Sequence, residues 1–67
     1  MEKNIIGTNA GIIWNYIDTN GEITITELKK ATKLDIKDIY LALGWLAREN
    51  NVFLNNSGKE LSVSIIY

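Results

Sequence analysis

The fold of this chain is decided by the segment ITITELKKATKLDIKDIYLALGWLARENNVFL, which runs from residue 23 to residue 54. Thr24 followed by Glu27 has the spacing of a capping box, in which the two side chains satisfy free backbone N–H groups at the start of a helix. This pattern predicts a helix from Ile25 to about Thr32. A tight turn at Lys33-Leu34 would follow it.

A further helix is predicted after this turn and continues to about Glu49. Asp35 is placed to cap it, and Asp38 lies in its first turn, where acidic residues interact favourably with the helix dipole. Asn50-Asn51 ends it, since Asn tolerates the left-handed conformation. The residues that should face the core are Leu28 and Ala31 in the helix before the turn, and Ile39, Ala42, Leu43 and Leu46 in the helix after it.

Another helix is predicted before this segment. Thr8 and Asn9 are good N-caps for it, and Gly21 is suited to end it in the left-handed conformation. Ile5 and Ile6, which precede the caps, would cover one end of the core. The apolar residues that recur at helical spacing are Ala10, Ile13, Trp14 and Ile17.

Strands are predicted on both sides of the helix pair. Glu22–Thr24 is long enough for one short strand, and Val52–Leu54 reads as a second. Turn-forming residues at 55–59 separate the latter from a stretch of alternating apolar and mostly polar residues. The apolar positions of that stretch are Leu61, Val63, Ile65 and Tyr67. Two strands joined by such a turn indicate a β-hairpin.

The order of elements is therefore helix, short strand, helix, turn, helix, strand, strand. A helix pair joined by a tight turn cannot hide both apolar faces alone, so the first helix and the hairpin must supply the missing cover. We expect an α+β fold of the winged helix-turn-helix class, with a three-helix core, a short strand and a C-terminal β-hairpin wing. Residues 1–67 would form one domain, since the length allows no more.

The chain also resembles a small family of stand-alone winged-helix proteins from bacteria and archaea, which has been classed as a domain of unknown function. The residues that carry this resemblance are Ala10-Gly11 with Trp14, Glu27-Leu28, and the run from Ala42 to Glu49. The resemblance implies a winged helix and brings no catalytic residues. At Asn50-Asn51 the relatives tend to be more basic than this chain.

Composition narrows the function classes. The chain has no Cys and no His, so a disulfide is excluded and the usual zinc and copper ligands are missing. No Gly-rich phosphate loop is present, and the acidic residues are explained by helix caps or by exposure, so we expect no enzyme, no cofactor and no small-molecule substrate. Without a signal peptide or a membrane-length apolar run, a cytoplasmic protein is the default expectation.

The helix from Asp35 to Glu49 would be the one that reads DNA, since its outer side faces the major groove in many winged helices. Lys37, Leu41, Gly44, Trp45 and Arg48 fall on that side when Ile39 points inward. The predicted DNA-contacting residues are Lys29, Lys30, Lys33, Lys37, Arg48 and Lys59. The opposing interpretation is that the lysines of this set form a solvated helix face, with Lys59 in its turn serving solubility. The chain as a whole also lacks the basic character usual for a DNA binder, since its net charge is −1 and its pI is near 5.2.

Trp45 has two interpretations. It either lies on the shoulder of its helix and packs under the wing or the N-terminal segment, or it forms an exposed apolar patch with Leu41. Gly44 beside them would permit close backbone approach. Exposed apolar patches usually mark partner surfaces, and a two-fold homodimer is the simplest partner. The hypotheses are therefore a DNA-binding, regulator-like protein and a homodimeric interaction module that does not bind DNA.

Overall fold

A computed structural model describes residues 3–56 and 58–66 of the chain. The elements, in chain order, are α1 (Lys3–Asn20), β1 (Ile23–Thr24), α2 (Ile25–Thr32), α3 (Ile36–Arg48), β2 (Val52–Asn55) and β3 (Ser62–Ile65). This is the predicted order, and the winged helix-turn-helix fold is confirmed. The predictions for Met1, Glu2, Ser57 and Tyr67 lie outside the described residues.

The three strands form one antiparallel sheet in the order β1-β3-β2. In the hairpin, Val52 lies opposite Ile65, while Ile23 of the short strand lies opposite Val63. The backbone N–H of Ile25 donates to the carbonyl oxygen of Leu61 at 3.1 Å. The wing is therefore joined through β1 to the first residue of α2.

The core lies between the three helices and the inner face of this sheet. Its buried residues are Ala10, Ile13 and Ile17 from α1; Ile23 from β1; Ile25 and Leu28 from α2; Ile39, Ala42, Leu43 and Leu46 from α3; and Val52 and Val63 from the hairpin. All four predicted core residues of α3 are confirmed. Each secondary-structure element contributes at least one residue to this single cluster, so the helices and the sheet share one core.

The start of α1 was predicted wrongly. The helix begins at Lys3, so Thr8 and Asn9 lie inside it and do not cap it. Ile6 is half-buried and precedes buried Ala10 by one turn, which extends the apolar stripe of the helix towards its N-terminus. Tertiary packing of that stripe outweighs the local capping preference. Ile5, which was expected to cover the core, is 48% exposed.

The capping predictions for α2 and α3 have different outcomes. The hydroxyl of Thr24 accepts the backbone N–H of Glu27 at 3.2 Å, as a capping box requires, and donates to the Glu27 carboxylate at 3.3 Å. Asp35 occupies the N-cap position of α3, but its side chain makes no capping hydrogen bond. The helix start at Asp35 was right, and the expected role of its carboxylate was wrong.

The prediction that Ala31 is buried is wrong. Ala31 is exposed, and the inward stripe of α2 instead consists of Ile25 and Leu28, continuing to half-buried Thr32. The Thr32 hydroxyl donates to the carbonyl oxygen of Leu28 at 2.7 Å. Because the hydroxyl is satisfied within the helix, Thr32 can face inward at low cost.

Three residues end helices in the left-handed conformation. Gly21 has φ 83° and Asn50 has φ 59°, as their residue types predicted. Lys33, in the turn between α2 and α3, has φ 61°, although a lysine gains nothing from this conformation. Its backbone N–H donates to the carbonyl oxygen of Lys29 at 2.9 Å, which closes α2.

Replacing Lys33 by Gly should therefore stabilise the protein by about 1 kcal/mol, since glycine adopts a positive φ without steric cost. Urea unfolding followed by circular dichroism would measure the change. Lys30→Gly, within α2, is the matched control and should destabilise by about 1 kcal/mol. Equal destabilisation by both changes would contradict the left-handed turn.

Two leucines, one buried and one exposed, allow the orientation of the helices to be tested. Leu28 is 0% exposed, whereas Leu41 is 42% exposed. Leu28→Ala should lower the free energy of unfolding by about 2–5 kcal/mol, while Leu41→Ala should cost less than about 1 kcal/mol. Urea unfolding of the two variants would test this, and a comparable loss in both would show that α3 is rotated from the orientation described.

Candidate nucleic-acid interface

The outer face of α3 is exposed to solvent. Lys37, Leu41, Gly44, Trp45 and Arg48 are all exposed, as the helical periodicity predicted. Lys37 and Arg48 lie near opposite ends of the helix, and at 1.5 Å per residue their backbones are roughly 16 Å apart. The face thus presents one cation at each end and an apolar centre between them.

Two further side chains belong to this face and were not predicted. Ile36 and Tyr40 are 44% and 50% exposed and lie one helical turn apart on the side of α3 that adjoins the wing. Their spacing of four residues was a readable signal. Helical periodicity was used only to assign residues of α3 to the core side or to the opposite side, and Ile36 and Tyr40 lie on a flank between the two.

A cleft separates this flank of α3 from the wing. It has a volume of about 530 Å³ and is lined by Ile25, Thr26, Ile36, Tyr40, Asn56, Lys59, Glu60 and Leu61. Lys59, predicted to contact DNA, is exposed and lines the same cleft as Tyr40. The structure therefore brings one predicted wing cation to the same cleft as the start of α3.

Two carboxylates hold the wing against the rest of the domain. Glu60 accepts hydrogen bonds from the backbone N–H and the hydroxyl of Thr26, at 3.2 and 2.8 Å. The N-terminus of α2 is a favourable place for this negative charge. Ser62 donates to the Glu22 carboxylate at 2.7 Å. The sequence suggested only that Glu22 and Glu60 are exposed, since their partners lie 40 and 34 residues away along the chain, respectively.

The remaining predicted cations lie on other elements. Lys29 and Lys30 are exposed on α2, and Lys33 is exposed in the turn that leads to α3. Lys33 precedes Lys37 by four residues, so the basic positions continue from α2 across the turn to the start of α3. The six predicted DNA-contacting residues are thus distributed over α2 with its turn, α3 and the wing.

Acidic residues interrupt this basic surface. Glu27 and Asp35 are exposed on α2 and at the start of α3. Asp38 is half-buried, and its Oδ1 atom has no hydrogen-bond partner among the described residues. The surface is therefore mixed in sign, which favours short-range, directed contacts over a broad attraction to polyanions.

Trp45 lies on the shoulder of α3 that faces α1. It lines a groove of about 320 Å³ together with Gly7, Ala10, Gly11, Trp14, Asn15, Leu46 and Asn51. Trp45 nevertheless remains 40% exposed. Trp45 therefore borders α1 between Gly7 and Asn15 while it remains exposed, and its role in a partner surface stays a prediction.

The described part of the chain was also considered for a metal site and for a membrane-spanning helix, with negative results. Among residues 3–56 and 58–66, no group of three or more His, Cys, Asp or Glu side chains is placed to hold a metal ion. Of the helices in that part of the chain, none is both long and apolar enough to cross a bilayer.

This geometry defines a winged helix-turn-helix protein, and comparisons with known proteins agree. Residues 1–65 match a family described as "Winged helix-turn-helix domain (DUF2582)", and the chain belongs to this family. It is similar to the solution NMR structure of protein BT2368 from Bacteroides thetaiotaomicron, with 35% sequence identity and a TM-score of 0.86. The match covers 97% of this chain and 79% of that one. A comparison with curated proteins gives no match.

The Glu60 contact leads to a testable expectation about the wing. Glu60→Ala removes the one oxygen that accepts both hydrogen bonds from Thr26, so amide hydrogen exchange at Thr26 should accelerate, with a loss of about 1 kcal/mol in stability. NMR hydrogen exchange would measure it residue by residue. Glu60→Gln keeps an acceptor without the charge and should give an intermediate rate; an unchanged rate in both variants would show that the contact does not form in solution.

Proposed function

We propose that the protein binds double-stranded DNA, with the outer face of α3 in the major groove and the wing beside it. The observation that carries this proposal is the exposure of Lys37 and Arg48 on that face together with Lys59 across the adjoining cleft. The winged helix-turn-helix fold supports it, because many proteins of this architecture present the equivalent helix to the major groove. The fold alone supports DNA binding only by analogy, and the exposed Lys and Arg residues add a chemical reason for it.

Four exposed residues of α3 are of types that contact DNA in other proteins. Arg48 and Lys37 are the residue types that donate to O6 and N7 of guanine. Leu41 offers an apolar contact for a thymine methyl group, and Tyr40 offers a hydroxyl on the flank next to the wing. Lys29, Lys30 and Lys33 on α2 and its turn are placed to contact phosphates, as the helix before the recognition helix commonly does.

The charge of the chain sets the expected strength of binding. Of the seven Lys and Arg residues only six are proposed to contact DNA, and the net charge is −1, so affinity for random DNA should be low. Useful affinity would then depend on contacts with particular base pairs. We infer a regulator or accessory factor acting on a preferred site in the cytoplasm, with no enzymatic step.

This proposal is tested by fluorescence anisotropy of labelled random duplex DNA at low and at physiological salt. Lys37→Gln and Arg48→Gln should each weaken binding by about tenfold and reduce the salt dependence by about one counterion. Thr8→Glu, on the exposed side of α1, changes the net charge equally and should have little effect. Absence of binding at low salt, or equal weakening by all three variants, would refute the proposal.

A second candidate function is self-interaction without DNA. The observation that favours it is the apolar pair on α3, where Leu41 is 42% and Trp45 is 40% exposed. These two side chains lie one helical turn apart on the same face, and adjoining exposed apolar side chains often mark a partner surface. This candidate predicts a homodimer and needs none of the lysines on α2.

A further inference from the structure

The order of the charged residues along α3 is suited to pairing of this helix with the α3 helix of a second copy of the chain. Lys37 and Asp38 stand near its start, and Arg48 and Glu49 stand at its end, so each end reads cation then anion. When the helix is laid antiparallel on a second copy with Lys37 opposite Glu49, Asp38 falls opposite Arg48. Every one of these charges then meets the opposite sign.

The same register matches the apolar residues between these ends. Leu41 falls opposite Trp45 of the second copy, and by two-fold symmetry Trp45 falls opposite its Leu41. Both are exposed in the single chain, at 42% and 40%. One register therefore pairs the charges at both ends and covers the apolar residues at the centre.

Gly44 lies between these apolar residues on the outer face. A Cβ built on Gly44 meets no atom within 4 Å, so the backbone here is open to an approaching surface. Helix axes pack about 8–10 Å apart, at the shorter end when small residues lie at the crossing. Gly44 thus permits the close approach that brings Leu41 and Trp45 into contact across the pair.

We propose that a second copy of this chain docks antiparallel on the outer face of α3, related by a two-fold axis near Gly44. Lys37 pairs with Glu49 and Asp38 pairs with Arg48 across the interface, each pair occurring twice. In the antiparallel arrangement the positive end of each helix dipole lies beside the negative end of the other, which is electrostatically favourable. A single helix from each copy buries less than the roughly 800 Å² per partner of a standard interface, so the association is weak and reversible.

This docking has a consequence for the outer face. Lys37, Leu41 and Arg48 are used by both the second copy and DNA, so the two occupants exclude each other. Self-association would then hold the protein away from DNA at high concentration. The competition rests on the proposed DNA binding, whereas the self-association itself does not.

Sedimentation equilibrium of the full chain, from about 10 μM to about 1 mM and without DNA, tests the docking. Lys37→Glu and Glu49→Lys should each weaken the dimer by about tenfold, because each change places like charges together twice. The double variant restores opposite charges in this register and should return the dissociation constant to near the wild-type value. Lys30→Glu, exposed on α2, carries the same charge change as Lys37→Glu and should leave self-association unchanged.

Leu41→Glu should abolish the dimer while circular dichroism shows an intact fold, since Leu41 lies outside the core. A wild-type protein that stays monomeric at the highest concentration would overturn the proposal. Single reversals that weaken the dimer without rescue by the double variant would overturn the antiparallel register. DNA anisotropy is measured separately, so loss of DNA binding with intact self-association would refute only the proposed function.

Discussion

Burial of one stripe of α3 is the constraint on which the rest of this structure depends. Ile39, Ala42, Leu43 and Leu46 are nearly inaccessible, and they meet residues from α1, α2 and the sheet in one cluster. Burying such side chains is worth about 1.5–3 kcal/mol each, so rotation of α3 about its axis is energetically forbidden. The outer face is therefore determined by the inner one, and the orientation of Lys37 follows from packing rather than from any contact of its own.

The wing is held by polar contacts in addition to the packing of Val52 and Val63 in the core. Its strand β3 pairs with β1, and side-chain hydrogen bonds between Glu60 and Thr26 and between Ser62 and Glu22 add to this pairing. Such contacts are directional but individually worth only about 1 kcal/mol. The wing is thereby oriented towards α3 without being rigidly packed there, which leaves a cleft between Tyr40 and Lys59.

The outer face of α3 combines features that are usually found on separate surfaces. Cations at its ends suit a polyanion, and an apolar centre with a bare glycine suits another helix. In a chain of 67 residues, the surface that remains after the core is built is small. The proposed DNA binding and the proposed self-association would both use this face, and each would then exclude the other.

The sequence by itself determined the order of elements, the inward stripe of α3 and the left-handed ends at Gly21 and Asn50, because periodicity and backbone preference act over a few residues. It did not determine where α1 begins, which way Ala31 faces, or what Glu60 contacts. Those depend on which surfaces meet in three dimensions. A stripe extended by Ile6 overrides a local cap, and a carboxylate finds a helix N-terminus 34 residues earlier in the chain only after the wing has folded back.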